Sequence, residues 1–285
     1  MSTMNNDASS IPVPLSVGDV MATTSRTLGV HLNEVFLLTS AIAIPSTFLG
    51  IAIQFAQYYA ATSAPLGSVE SAMRSLVVSL GSIPLVIVSW LAAVVVQGAI
   101  LHLTLESLEG RTATLRESLR AVRPRYFALV FTTLLVGIIT VIGIFLCIIP
   151  GFIALTFLAI AAPVCFRESL GPIDSLQRSI ELTEGHRWAV FAIYLLLVVG
   201  FGTLLCCAIS PSLVPLVQQT QESIQHGAMS AQNPLTPMSL LSSFLSMCLQ
   251  IVMSAFSTII PGVIYARLRG LRDNVDAQKV AQVFV

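Results

Sequence analysis

The chain has 285 residues, 55% of them hydrophobic and only 10% charged, and its formal net charge is zero. A soluble domain carries about a quarter charged residues, so this composition and a mean hydropathy of +0.87 exclude an ordinary water-soluble fold. Zero net charge also leaves no global field that would draw in nucleic acid.

Residues 1–14 are small, polar and Pro-containing, and read as a disordered N-terminal tail. They hold no basic segment followed by a short apolar one, so no signal peptide is expected and the first span acts as its own insertion signal. Ser16-Val17-Gly18-Asp19 has the pattern of a capping box, followed by Val17, Met21, Thr24 and Leu28 at helical spacing. Val35–Ala56 is the first apolar run of the roughly 20 residues that a spanning helix needs. Leu76–Leu105 is the second, and is long enough to tilt. Thr114-Leu115-Arg116-Glu117 is another capping box. It opens a helix with an apolar stripe (Leu115, Leu119, Val122) and a basic one (Arg116, Arg120, Arg123) that Pro124 ends. Phe127–Ile149 and Phe152–Phe166 are the third and fourth spans, with Pro150-Gly151 as the turn between them. Gly171-Pro172 opens a third short helix, with Asp174 in its first turn and Ile173, Leu176 and Ile180 as its stripe. Gly185 closes it. Ala189–Ile209 and Ser239–Tyr265 are the fifth and sixth spans.

A backbone in lipid must satisfy its own hydrogen bonds, so all six spans must be helices. The expected fold is all-α: a polytopic membrane domain over residues 15–272 with six transmembrane helices and three amphipathic interfacial helices, then a C-terminal tail at 273–285. Each short helix precedes a pair of spans. The exits of the second and fourth spans also match, Glu106-Ser107-Leu108 against Glu168-Ser169-Leu170. The pattern predicts three parallel repeats of interfacial helix and transmembrane hairpin.

Thirteen of the fourteen basic residues fall on one side of this arrangement. Arg26 precedes the first span. Arg111, Arg116, Arg120, Arg123 and Arg125 fill the second connection, Arg167, Arg178 and Arg187 the fourth, and Arg267, Arg269, Arg272 and Lys279 the end. Only Arg74 lies opposite. Basic residues stay on the cytoplasmic side, so both termini are expected there.

The polar side chains offer little chemistry. No ionisable group sits at the middle of a span, which weakens an ion-coupled mechanism. Gln97, His102 and Gln250 are the deepest strongly polar side chains. They read either as interhelical hydrogen bonds or as the lining of a polar path. His102 and Glu106 share a helix face, but two ligands make a weak metal site. Cys147, Cys165, Cys206, Cys207 and Cys248 show no metal spacing and read as small buried hydrophobes. No cofactor and no catalytic set of nucleophile, base and metal are expected, so the chain reads as non-enzymatic. Pro45, Pro84, Pro163 and Pro261 are expected to shape or kink their spans. The small residues Ser254, Thr258, Gly262 and Ala266 read as a packing seam, within the chain or between copies. The arginines Arg116, Arg120, Arg123, Arg178 and Arg187 read either as contacts to anionic phospholipid or a membrane partner, or as topology signals alone.

The stretch Ala162-Pro163-Val164-Cys165-Phe166-Arg167-Glu168-Ser169-Leu170-Gly171-Pro172 continues into Leu182-Thr183-Glu184-Gly185-His186-Arg187-Trp188. With Leu15-Ser16-Val17-Gly18-Asp19-Val20, Ile149-Pro150-Gly151 and Ile264-Tyr265-Ala266-Arg267-Leu268-Arg269, it resembles the bacterial glycerophosphodiester phosphodiesterase membrane-domain family and related polytopic inner-membrane proteins. The resemblance implies a multi-pass protein of a bacterial inner membrane. It does not imply the phosphodiesterase activity, since the catalytic barrel of about 250 residues has no counterpart in this chain. The expected function is a non-enzymatic membrane protein that engages anionic phospholipid or a membrane partner, itself included. The alternative is a transporter or channel for a small amphipathic solute.

Overall fold

The computed structural model describes residues 16–63, 68–226 and 236–283, and among them there are helices and no strands. The expected disordered tail at 1–14 lies outside the described residues. The helices are α1 (Val17–Val30), α2 (Leu32–Thr62), α3 (Val69–Leu108), α4 (Leu115–Val122), α5 (Tyr126–Leu146), α6 (Ile148–Leu158), α7 (Ala161–Glu168), α8 (Pro172–Thr183), α9 (Arg187–His226) and α10 (Pro237–Val283). Six stretches are long and apolar enough to cross a membrane: Leu32–Thr62, Val69–Leu108, Leu115–Leu146, Pro150–Glu168, Arg187–Cys207 and Pro237–Arg272. The chain is an all-α, multi-pass membrane protein. α10 runs on as helix to Val283, through most of the segment expected as a C-terminal tail.

The three short helices start at the expected residues, but at Ser16 only one half of the expected capping box forms. Ser16 Oγ accepts from the Asp19 amide at 3.1 Å. At Thr114 the box is reciprocal: its Oγ1 accepts from Glu117 N at 3.4 Å, and its own N–H donates to Glu117 Oε2 at 2.9 Å. Their buried faces mix hydroxyl and apolar residues: Val20, Thr24 and Thr27 on α1, Ser118 and Val122 on α4, and Ser175, Ser179 and Leu182 on α8. The apolar stripes divide: Thr24 and Val122 are buried, whereas Leu119, Ile173 and Ile180 point outward, Ile173 being 73% exposed. Outward apolar side chains suit a helix lying in the interface.

Each short helix packs on the span that closes the preceding repeat: α4 on α3, α8 on α7, and α1 on α10. The third pairing sets the first described helix of the chain against the last. The repeats also share a tie. Tyr126 OH donates to the Leu91 carbonyl and Tyr194 OH to the Ala159 carbonyl, each at 3.2 Å and each reaching 35 residues back.

The hairpin between the third and fourth spans turns at Cys147, where the backbone is extended, and not at Pro150-Gly151. Pro150 instead lies in the first turn of α6, where its missing N–H is harmless. Gly151 lets α6 lie against α5, since a Cβ there would stand 2.7 Å from Ile144 N.

The fourth span itself is broken between Leu158 and Ala161. Pro163 cannot donate to the Ala159 carbonyl one turn earlier. Tyr194 OH takes that carbonyl instead, and Ser179 Oγ donates to the Phe157 carbonyl at 2.8 Å. The break is thus satisfied by side chains from α8 and α9, as low-dielectric surroundings demand. Half of Pro150–Glu168 is buried, the largest share among the six spans.

Candidate functional site

The core cluster gathers around α3 at one end of the bundle. Gly98 there is so close to α4 and α5 that a Cβ would meet Val122 Cγ2 at 2.9 Å and Leu129 Cδ1 at 3.2 Å. Gly262 on α10 approaches α3 in the same way, 3.1 Å from Thr104 Cγ2 and 3.2 Å from Leu101 Cδ1. The small-residue seam of the sixth span is therefore used within the chain. This packing brings the C-terminal ends of α3 and α7 and the Tyr265–Arg272 stretch of α10 to one charged end.

Two linked ionic groups form at that end. Arg167 Nη1 donates to Glu106 Oε1 at 3.3 Å, and its Nη2 contacts Glu109. Arg111 Nη1 adds contacts of 3.6 Å to Glu106 and 3.3 Å to Glu109. Arg178 pairs with Glu168 at 3.3 Å and Glu181 at 3.1 Å. Burial alone would lower the pKa of Arg178. The hydrogen bond to Glu181 and the charges of Glu168 and Glu181 outweigh it and hold the pKa above its ordinary value. Glu168 also accepts from Tyr265 OH at 3.1 Å, Arg269 donates to Tyr265 OH at 3.3 Å, and Arg272 donates to the Glu181 carbonyl at 2.9 Å. Arg267 ties α10 to Thr23 of α1 at 3.3 Å.

The expected arginine set therefore divides. Arg178 is bound into the network, which takes it out of the group free to meet lipid. Arg116 and Arg120 on α4 and Arg123 just after it are exposed and make no hydrogen bond or salt bridge among the described residues; Glu117 acts on Arg120 through space. Arg187 is a third case. Its guanidinium carbon sits 4.5 Å over the Phe157 ring, and its Nε is buried without a hydrogen-bond partner among the described residues. Beside it a groove of about 400 Å³ runs between α6 and α9, walled by Phe152, Phe157, Trp188, Phe191 and Leu195.

Gln97, His102 and Gln250 do not come together. His102 Nδ1 lies 3.1 Å from Ser118 Oγ on α4, and its ring meets the edge of Phe166. Glu106, its expected neighbour for a metal, is held by Arg167 and Arg111. Gln97 lines a small cavity of about 60 Å³ with Thr133, Ser257, Thr258 and Pro261. Gln250 is exposed on α10, twelve residues before Gly262, which places it roughly 18 Å toward the far end by the helical rise. Among the described residues no group of three or more His, Cys, Asp or Glu side chains gathers. Of the cysteines only Cys165 is buried; Cys147 at the turn before α6 and Cys206, Cys207 and Cys248 on apolar helices are exposed, contrary to the expectation for all five.

The sequence reading missed the role of the acidic residues. Glu106, Glu109, Glu168 and Glu181 are what separates paired from unpaired arginines, and the matching exits of α3 and α7 carried that signal. It also missed the groove, whose partners Phe152 and Phe157 stand some thirty residues from Arg187. Comparison with protein-family models, with curated proteins and with solved structures finds no match.

Proposed function

We propose that this chain is a non-enzymatic membrane module of a bacterial inner membrane, with its charged end in the cytoplasm, which engages anionic phospholipid headgroups through Arg116, Arg120 and Arg123. The observation that carries the reading is the split among the arginines. Arg111, Arg167 and Arg178 are neutralised by carboxylates, whereas Arg116 and Arg120 on α4 and Arg123 just after it make no hydrogen bond or salt bridge among the described residues, Glu117 acting on Arg120 only through space, and the three share one exposed face. Arg74 is the lone opposing basic residue against thirteen, a ratio that supports the assigned orientation. Leu119 on the same helix is exposed and sits in lipid beside the arginines, which suits a helix at headgroup level. Kinship with the glycerophosphodiester phosphodiesterase membrane-domain family belongs to the same proposal and rests on the quoted motifs alone.

The test is native mass spectrometry of the full chain, released in mild detergent from membranes containing phosphatidylglycerol. Anionic lipid attracts each arginine by about 1 kcal/mol, so replacing all three by Gln lowers retained anionic lipid by on the order of a hundredfold. Added salt weakens the wild-type retention, since exposed charges are screened. Equal retention in both proteins reduces the arginine face to a topology signal.

A further inference from the structure

We infer that the groove between α6 and α9 is a specific site for one acyl chain of an anionic phospholipid, with Arg187 holding the phosphate. The inference rests on the membrane-lipid reading above and assigns it a second place, away from α4. The groove's volume of about 400 Å³ lies within the range of small-molecule sites. Its walls are aromatic and aliphatic, and it opens on the outward surface of two spans, where Trp188 is 84% exposed and Ile153 and Leu195 are also exposed. In a bilayer that surface meets acyl chains.

The arginine selects the lipid class. A guanidinium against an aromatic ring, with a buried N–H that no described side chain or carbonyl accepts, is stabilised by an anion brought by the occupant. Its planar fork suits a phosphate. The register along α9 fits a lipid. Phe191 and Leu195 follow Arg187 at four and eight residues and so lie on its face, roughly 6 and 12 Å further along the helix. A phosphate at Arg187 thus places its chain along Phe191 and Leu195, and Trp188 stands where aromatic side chains mark the headgroup boundary. Arg125 at the start of α5 is placed differently: it stacks over Phe166 of α7 at 5.6 Å, on a ring that belongs to the core.

Two tryptophans are present, so Trp90→Phe leaves Trp188 as the sole indole reporter. This protein is reconstituted in phosphatidylcholine vesicles containing increasing amounts of chain-dibrominated phosphatidylglycerol or chain-dibrominated phosphatidylcholine, and Trp188 quenching is measured. The expected result is a roughly fivefold preference for the anionic lipid, the attraction of one cation. The preference disappears in Arg187→Gln and falls in Leu195→Phe, which narrows the groove and keeps the charge. Equal quenching by the two lipids, or a preference that survives both substitutions, overturns the proposal. Should Arg187→Gln not fold, Leu195→Phe decides alone, and an unchanged preference there overturns it. The α4 variant separates the two readings. Arg116, Arg120 and Arg123→Gln leave the Trp188 preference intact if the groove is a site of its own, whatever becomes of total lipid retention.

Discussion

The two ends of the bundle pack in opposite ways. At the charged end Val20, Val35, Ile100, Leu103, Val122, Leu129, Val164, Val190 and Ile264 are buried in one cluster with contributions from α1 to α5, α7, α9 and α10. At the far end Leu76, Leu80, Val86, Ile142, Phe145, Leu205 and Phe244 are exposed. Lipid is as apolar as leucine, so the hydrophobic effect does not draw helices together within it. The charged end coheres through close backbone approach at Gly98 and Gly262, through hydroxyl and tyrosine bonds to carbonyls, and through the carboxylate–arginine network. The far end has the bilayer as its partner. Sites that discriminate between ligands belong at the first end, because only there are side chains held in place by other side chains.

The largest expected effect that would break this comparison lies at Gly98. Gly98→Val drives methyl groups into Val122 and Leu129, and overpacking of this kind costs about 1–3 kcal/mol. It should appear as a lower midpoint of SDS-driven unfolding in mixed micelles, and an unchanged midpoint would mean that the charged end is as loose as the far one.

Tyr194→Phe comes next. It removes the donor to the Ala159 carbonyl that Pro163 leaves without an amide. Interhelical hydrogen bonds in membranes average about 0.6 kcal/mol. This one serves a carbonyl with no amide donor of its own, so about 1 kcal/mol is expected in the same assay. Restoring an amide with Pro163→Ala should make the Tyr194→Phe loss smaller, a coupling that a double-mutant cycle reads directly.

The smallest effect sharpens the contrast. A Cβ at Gly200 on α9 meets nothing within 4 Å, and Ala is the better helix former. Gly200→Ala should therefore leave the unfolding midpoint unchanged or raise it slightly, by up to about 0.5 kcal/mol. A loss there as large as at Gly98 would erase the distinction between the two ends.

Much of this was legible in the chain. Runs of some twenty apolar residues, the cap residues Ser16 and Thr114 and the helix stop at Gly185 gave the element order, because span length and capping are local. The turn at Pro150-Gly151 was misplaced, since a proline in the first helical turn and a proline in a loop look alike in sequence. Which stripe residues are buried, Thr24 and Val122 but not Ile173 and Ile180, was also hidden. Amphipathic spacing shows that a helix has two faces, but in a bilayer either face can be the one that meets lipid. Gln97, His102 and Gln250 were grouped by polarity, and only the packing separates them.

The sequence by itself determined the all-helical, six-span class and the one-sided distribution of arginine, because hydropathy and charge act on each segment independently of its neighbours. Tertiary structure alone decided which arginines are free. Arg111, Arg167 and Arg178 are paired because the ends of α3, α7 and α8 bring carboxylates to them. Arg187 stands over Phe157 because the break in the fourth span sets that ring beside α9. Charge neutralisation depends on distances between elements far apart in the chain, and those distances are set by packing.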